Sequence, residues 1–199
     1  MKKNFKPEGS VVAALDIGSH KIACFIARVV NNQGGLEVVG VGYQASQGIK
    51  AGLIVDMNAA DQAIRQTVHA AESMAAEVMK GYPLRDVILN VPSTITKSHN
   101  ISVDIQIAGQ MVTDQDIWGA LSRAQSQVLG SERELIHTIP VEYAIDDKTG
   151  VAEPREMVGE KLGVNIHIVS SERNPLHNIA TSIERCHLDV LALSSTSYA

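Results

Sequence analysis

The chain has 199 residues, of which 45% are hydrophobic and 20% charged, and its mean hydropathy is close to zero. This composition is typical of a globular protein and excludes a disordered or membrane-embedded chain, because no apolar run approaches the ~20 residues that a spanning helix needs. The formal net charge of −5 argues against non-specific nucleic-acid binding. Cys24 and Cys186 lie far apart in apolar or helical segments and are expected to be reduced thiols of a cytoplasmic protein.

The N-terminal part of the sequence predicts a meander of three strands. Apolar, β-branched runs over residues 11–17 and 22–30 flank a short polar turn, and a third run covers 36–43. The "GVG" of the third run has no third glycine, so it indicates close backbone packing rather than a dinucleotide loop. The segment "SQGIKAGLIVD" follows, and its glycines Gly48 and Gly52 are expected to adopt unusual backbone dihedrals.

Helices and strands then alternate along the chain. The first predicted helix begins at Asp56 or Asn58 and ends at about Met79, and it is followed by a buried strand over 86–92 and an extended segment over 95–107. Next come a helix over 113–129, with a capping arrangement of Thr113 and Asp116, and a bent strand or strand pair over 134–146 that is broken at Pro140. After a polar loop we predict a strand over 162–168, a helix capped by Asn174 and a final strand from Leu188.

Two kinds of strand suggest two structural units. The run over 86–92 is continuously apolar, as in a sheet covered on both faces, whereas the segment over 95–107 alternates apolar and polar residues. We therefore predict an α/β fold, formed by residues 1–92 and 162–199, that is interrupted by a smaller α+β insertion at residues 93–161.

The turn between the first two strands, Asp16-Ile17-Gly18-Ser19-His20-Lys21, is the candidate functional site. Gly18 and Ser19 leave backbone N–H groups accessible to an anion, and Lys21 adds positive charge. Asp16 would repel a phosphate unless Mg²⁺ lay between them. The same residues are also good turn formers, so the six residues alone leave an ordinary hairpin turn as an alternative.

Other kinds of site find less support in the sequence. The turn is not a Walker A loop, and a strand rather than a helix follows it, so it is not a dinucleotide fingerprint either. The seven histidines have no metal-ligand spacing, and His167 alternates with apolar neighbours on a strand, so structural roles are expected for them. No nucleophile and base can be paired, and no catalytic residue is predicted.

Four stretches of the sequence carry a family resemblance: the strand–"DIGSHK"–strand opening, "LEVVGVGYQASQGIKAGLIVD" with the helix after it, "HTIPVEYAID" and "VNIHIVSSERNPLHNIATSIERCHLDV". Together they resemble FtsA-type cell-division proteins of the actin/Hsp70/sugar-kinase ATPase superfamily. This resemblance implies an actin-like, ribonuclease H-like subdomain 1A (residues 1–92 plus 162–199) with the family's inserted subdomain 1C (residues 93–161). It also implies that Asp16, Gly18, Ser19 and Lys21 belong to a phosphate loop for ATP, with Asp16 contacting Mg²⁺ through water.

The resemblance further implies a scaffold rather than an enzyme. Such proteins polymerise, tether FtsZ filaments to the cytoplasmic face of the inner membrane at the division site, and recruit late division proteins. Their second actin-like half, which carries the opposing phosphate loop and a C-terminal membrane helix, has no counterpart in these 199 residues. This chain alone is therefore expected to bind ATP weakly or not at all. The alternatives are a kinase of the same superfamily and a PilM-like assembly protein.

Overall fold

The computed structural model describes residues 6–196, which form two compact units. Unit 1 contains the described residues of 1–95 and 174–199, and unit 2 contains residues 96–173. In chain order the elements are β1 (Val11–Ile17), β2 (Lys21–Val29), β3 (Leu36–Ala45), β4 (Ile49–Lys50), β5 (Leu53–Ile54), α1 (Met57–Met74), α2 (Ala76–Met79), β6 (Asp86–Val91), β7 (Thr96–Gln106), α3 (Asp114–Val128), β8 (Arg133–Ile145), β9 (Lys148–Val151), β10 (Lys161–Glu172), α4 (Arg173–Arg185) and β11 (Asp189–Ser195).

Unit 1 is built on a five-stranded sheet of order β11-β6-β1-β2-β3. The antiparallel meander of β1, β2 and β3 was expected from the sequence, and β6 and β11 add to it in parallel with β1. Alternate residues of β1 are buried, namely Ala13, Leu15 and Ile17, which are at most 2% exposed. The carboxyl ends of three parallel strands therefore meet at one edge of this sheet.

Helix α1 packs closely on β3, because two glycines of the strand leave no side chain in the way. A Cβ atom at Gly40 would overlap the carbonyl oxygen of Ala71, and one at Gly42 would overlap that of Thr67. This geometry confirms that the "GVG" sequence serves backbone packing. Asp56, rather than Asn58, caps the helix, since its Oδ1 accepts a 3.1 Å hydrogen bond from the N–H of Ala59.

Helix α4 is attached to α1 by a buried polar contact. Asp61 of α1 is 2% exposed, and it accepts a 2.5 Å hydrogen bond from the hydroxyl of Ser182 and a 2.8 Å bond from Nε of Arg185. A buried carboxylate is tolerated only where such donors replace its water, so this contact fixes the two helices beside each other. Cys24 and Cys186 are both free thiols, and burial, with a smaller contribution from Glu72, raises the pKa of Cys24 to about 12.

Unit 2 is a four-stranded antiparallel sheet of order β7-β10-β8-β9 with α3 on one face. The helix buries Ile117, Ala120 and Ala124 against a core cluster that includes Val103, Leu162, Val164, Ile166 and Ile168. The polar residues of the strands form hydrogen-bonded rows of their own, such as His167 Nδ1 with Asn100 Oδ1 at 2.7 Å. The one-sided burial of this sheet is what the alternating sequence predicted.

The structure corrects several predicted boundaries. Strand β8 continues through Pro140, because the register with β10 shifts between Asn165 and Ile166 and this bulge accommodates a residue that cannot donate to the ladder. Part of the predicted polar loop forms β9, after a hairpin turn in which Asp146 and Asp147 both have positive φ. The helix predicted to end at about Met79 is divided at Ala75 into α1 and α2, and α2 ends at Met79 as expected. Helix α4 begins one residue before the predicted cap Asn174.

Strand β10 also bears on the extent of the inserted unit. It pairs with β7 along residues 161–171 and with β8 along 162–172, so these residues lie in the sheet of unit 2. The insertion predicted at 93–161 does not include this strand, whereas unit 2 runs from 96 to 173. The alternation of Leu162, Val164, Ile166 and Ile168 is the same one-face pattern that β7 shows, and it reflects membership of the same sheet.

Candidate functional site at the carboxyl ends of the parallel strands

The candidate site lies where β1, β6 and β11 end. In open α/β sheets ligands bind beyond the carboxyl ends of parallel strands. Register places Asp16 of β1 beside Asn90 of β6, and the Asn90 amide donates a 2.8 Å hydrogen bond to Oδ1 of Asp16. The same amide group lies 3.3 Å from the hydroxyl of Thr196, just after β11. Three strand ends thus contribute polar side chains to one location.

The turn from Gly18 to Lys21 is closed and anchored by hydrogen bonds. Gly18 N–H donates to the carbonyl of Lys21 at 3.0 Å, which closes the turn. Ser46, just after β3, donates through its hydroxyl to the Gly18 carbonyl at 2.6 Å and through its N–H to the His20 carbonyl at 3.0 Å. The turn is therefore held from its carbonyl side.

The N–H groups of the turn are left available. Within the described residues, the backbone N–H groups of Ser19 and His20 have no hydrogen-bond acceptor. Consecutive unpaired N–H groups next to a glycine are the basic element of an anion-binding turn. Lys21 is exposed and forms no ion pair within residues 6–196, so its charge is free to add to this potential.

Ser19 has a second, structural role that the sequence did not indicate. Its hydroxyl oxygen accepts a 2.9 Å hydrogen bond from the N–H of Gly52, in the turn between β4 and β5. Gly52 has a φ of +75°, and a Cβ atom there would overlap the hydroxyl of Thr94. Glycine at this position therefore suits both the positive φ and the close approach of the β4–β5 turn to Thr94, while its N–H reaches Ser19.

Two residues of this site, Asn90 and Thr196, were missed by the sequence analysis. A single polar residue near the end of the apolar run "DVILNVP" was the available signal for Asn90. The Oδ1 atom of Asn90 is buried and has no hydrogen-bond partner in the part of the chain that the structure describes. A buried acceptor without a donor is unusual in a folded protein and indicates a place where a water or a ligand group donates.

The residues present fit a nucleotide phosphate with Mg²⁺ better than a protein-only metal site. Among residues 6–196, no group of three or more His, Cys, Asp or Glu side chains is arranged to hold a metal ion. Asp16 offers one carboxylate, and Mg²⁺ commonly combines one or two carboxylates with waters and phosphate oxygens. Asn90 holds that carboxylate in place, and the turn offers donors to an anion.

Comparison with protein families identifies the inserted unit. Residues 94–170 match the model described as the SHS2 domain inserted in FtsA. The chain is 34% identical over 198 residues to the cell division protein FtsA of Agrobacterium fabrum. The matched segment covers 95% of this chain and 44% of that relative. It is 30% identical over 182 residues to FtsA of Pseudomonas aeruginosa, covering 92% of this chain and 42% of that relative. The chain thus spans less than half the length of these relatives, which are named as division proteins.

A solved structure shows the same fold. The PilM–PilN type IV pilus biogenesis complex superposes with a TM-score of 0.62 at 14% identity, covering 94% of this chain and 47% of the other. Together with the family match, this confirms the predicted fold class, an actin-like α/β subdomain with an inserted α+β subdomain, and the resemblance to FtsA. Within the described residues, no helix has the length and apolar character to cross a membrane.

Proposed function

We propose that this chain, which is similar to FtsA over 95% of its length and contains an FtsA-type SHS2 domain, is part of a bacterial cell-division scaffold of the FtsA kind. The similarity carries this proposal because it extends through both units, whereas a kinase of the same superfamily would share only the actin-like part. Unit 1 would then be subdomain 1A and unit 2 subdomain 1C.

In this role the complete protein polymerises, tethers FtsZ filaments to the cytoplasmic face of the inner membrane at the division site, and recruits late division proteins. Unit 2 has exposed apolar side chains, among them Trp118 at 60% and Val158 at 61% exposure, that suit contacts with other proteins. The chain has no catalytic nucleophile–base pair in this proposal, and its nucleotide serves assembly rather than turnover of a substrate.

The nucleotide would be ATP with Mg²⁺, held at the turn after β1. The N–H groups of Ser19 and His20 and the charge of Lys21 would contact phosphate oxygens, while Gly18 keeps the turn narrow. Asp16 would contact the Mg²⁺ ion through water, oriented by the amide of Asn90. The metal supplies charge neutralisation of the phosphates. Gly52 and Ser46 hold the turn in the required shape.

A cell-biological experiment tests the division role. In the source bacterium, a fluorescent fusion to the gene product that contains this chain is expected to form a band at midcell, and its depletion is expected to give long cells without septa. A fusion spread evenly through cells that divide normally after depletion would overturn the proposal. Deletion of residues 96–173 is the matched variant, since it removes unit 2 alone.

A binding experiment tests the nucleotide site separately. For this chain alone, saturation-transfer NMR is expected to detect Mg·ATP only with a dissociation constant of ~1 mM or weaker, about 4 kcal/mol of binding free energy. Asp16→Asn should abolish the dependence of ATP binding on Mg²⁺. Asp189→Asn should not, because Asp189 is an exposed carboxylate at the opposite end of β11. Micromolar binding, or equal signals from both variants, would contradict the assignment.

A further inference from the structure

A second concave region of unit 1 lies along α1, away from the candidate phosphate turn. One cavity, of about 460 Å³, is lined by residues of α1, of the segment before β6 and of the segment between α4 and β11. A second, of about 290 Å³, continues it past the C-terminal end of α1. The two share His69, Glu72 and Pro83, so they form one elongated groove, named the α1 groove below.

One end of the α1 groove is cationic. Arg65 and Arg85 line the larger cavity, and neither forms an ion pair with a carboxylate in residues 6–196. Arg65 donates a 2.7 Å hydrogen bond to the carbonyl of Arg185 and also contacts the thiol of Cys186. The side chain of Arg85 has no hydrogen-bond partner within the described residues. Within the described residues, no carboxylate lies within ion-pair distance of either guanidinium group, although the chain has a net charge of −5. Their charge and planar donors suit carboxylates.

The rest of the α1 groove is apolar. Val68, Leu84 and Leu188 form its floor in the larger cavity and are at most 8% exposed. Met79 and Tyr82 line the smaller cavity, and Tyr82 is 77% exposed. An exposed tyrosine next to a methionine is the kind of surface that proteins use to hold an apolar side chain of a partner.

Glu72 separates the two ends and excludes a polyanion as the occupant. Its Oε1 accepts a 2.7 Å hydrogen bond from the N–H of Leu84, which keeps a negative charge at the middle of the groove. A free polyphosphate or nucleotide would meet this carboxylate, whereas a peptide can place its acidic residues at the arginines and a neutral backbone N–H at Glu72. The length of the groove, two joined cavities, also exceeds what one small anion fills.

We propose that the α1 groove binds a short segment of a partner protein in which acidic residues are followed by apolar ones. The acidic residues pair with Arg65 and Arg85, and the apolar residues pack on Met79 and Tyr82. This interaction is independent of the nucleotide site and of unit 2. It gives unit 1 a docking function of its own.

The test uses three fluorescently labelled octapeptides with capped ends and the 199-residue chain. The first has three aspartates followed by leucine and phenylalanine, the second has lysines in place of the aspartates, and the third has serines in place of the two apolar residues. By fluorescence anisotropy, the first is expected to bind most tightly, with about tenfold weaker binding at high salt. The second is expected not to bind, and the third to bind at least fivefold more weakly.

Variants locate the binding. Arg85→Gln should weaken binding of the first peptide about tenfold, which corresponds to the loss of one charged hydrogen bond. The substitution removes no side-chain hydrogen bond or ion pair within residues 6–196. Arg123→Gln, an exposed arginine of α3 in unit 2, is the matched control and should have no effect. Tyr82→Ser should weaken binding of the first peptide but not binding of the third. Thermal denaturation of each variant checks that folding is intact.

A chemical readout places the peptide in the groove. Cys186 lines the larger cavity and is partly exposed, whereas Cys24 is buried and serves as the internal control. Saturating first peptide is expected to slow alkylation of Cys186 several-fold at pH 8 without changing Cys24. Unchanged alkylation, equal binding by Arg85→Gln, or full displacement by about 10 mM inorganic phosphate would overturn the proposal. Displacement by phosphate would show that the groove holds a simple anion and not a peptide.

Discussion

The side-chain amide of Asn90 donates a 2.8 Å hydrogen bond to Oδ1 of Asp16, across two parallel strands that are distant in sequence. The contact fixes the Asp16 carboxylate of the candidate phosphate site, and within residues 6–196 Oδ1 of Asn90 is buried without a donor. An arrangement in which one amide atom is used and the other is unsatisfied costs stability unless a ligand or water completes it. The Asp16–Asn90 pair is therefore the contact that best tests whether this site binds a ligand.

Asn90→Ala tests this relationship. Without the amide, the Asp16 carboxylate is no longer oriented, and the buried acceptor is removed as well, so Mg·ATP binding should fall about fivefold to tenfold while stability changes little. Asn178→Ala, on the exposed side of α4, is the matched control. Ligand-observed NMR titrations of both variants measure the effect, and identical titrations would show that Asn90 has no part in binding.

Local signals in the sequence predicted the turn of the candidate site and much of the fold. Gly18 and Ser19 form the turn that the residue types indicated, and the alternation of apolar residues identified most strands. The close packing at Gly40 and Gly42 was also predictable, because two glycines in an apolar run have few other uses.

What could not be predicted depends on contacts between distant segments. Asn90 and Thr196 lie in the site only because β6 and β11 extend the sheet in parallel with β1, and no local sequence pattern specifies the order of strands in a sheet. The bond from Gly52 to Ser19 likewise requires the β4–β5 hairpin to fold back on the turn. At Pro140 the local rule predicted a break, and a bulge in the pairing with β10 resolved it instead.

Gly52→Ala should destabilise unit 1 and disturb the phosphate turn together. Gly52 has a φ of +75°, and the added Cβ would overlap the hydroxyl of Thr94. Gly81→Ala is the matched control, since its φ is +79° but nothing lies within 4 Å of the added atom. We expect the control to lose about 1 kcal/mol from backbone strain alone and Gly52→Ala to lose about 1–3 kcal/mol more, by urea denaturation. Equal losses would show that the space around Gly52 is not limiting.

Gly42→Ala and Gly119→Ala should change stability in opposite directions. A Cβ atom at Gly42 overlaps the carbonyl oxygen of Thr67, so β3 and α1 must separate, at a cost of about 2–3 kcal/mol. Gly119 lies on the exposed side of α3 with no atom near an added Cβ, so alanine there should add ~1 kcal/mol through helix propensity. Hydrogen exchange of each unit measures both effects, and a neutral Gly42→Ala would contradict the packing described.

The capping box of α3 should make the stability of unit 2 depend on pH. Asp116 accepts hydrogen bonds from the hydroxyl of Thr113 at 2.6 Å and from its N–H at 2.8 Å. These bonds lower the pKa of Asp116 from its ordinary value of 3.8. Because the folded state favours the ionised form, the stabilisation is complete above pH 3.8 and is lost as the pH falls through the lowered pKa.

Two variants separate the cap from its charge. Thr113→Ala should cost ~1 kcal/mol at pH 7, while Thr149→Ala, an exposed threonine of β9, should cost almost nothing. Asp116→Asn keeps an acceptor but cannot titrate, so the difference in unfolding free energy from the unmodified chain should be largest at neutral pH and shrink below pH 3.8. Urea denaturation at about pH 7, 5, 4 and 3, values that extend from well above the ordinary pKa of an aspartate to below it, measures this difference. A constant difference across that range would mean that the Asp116 charge does not contribute to the cap.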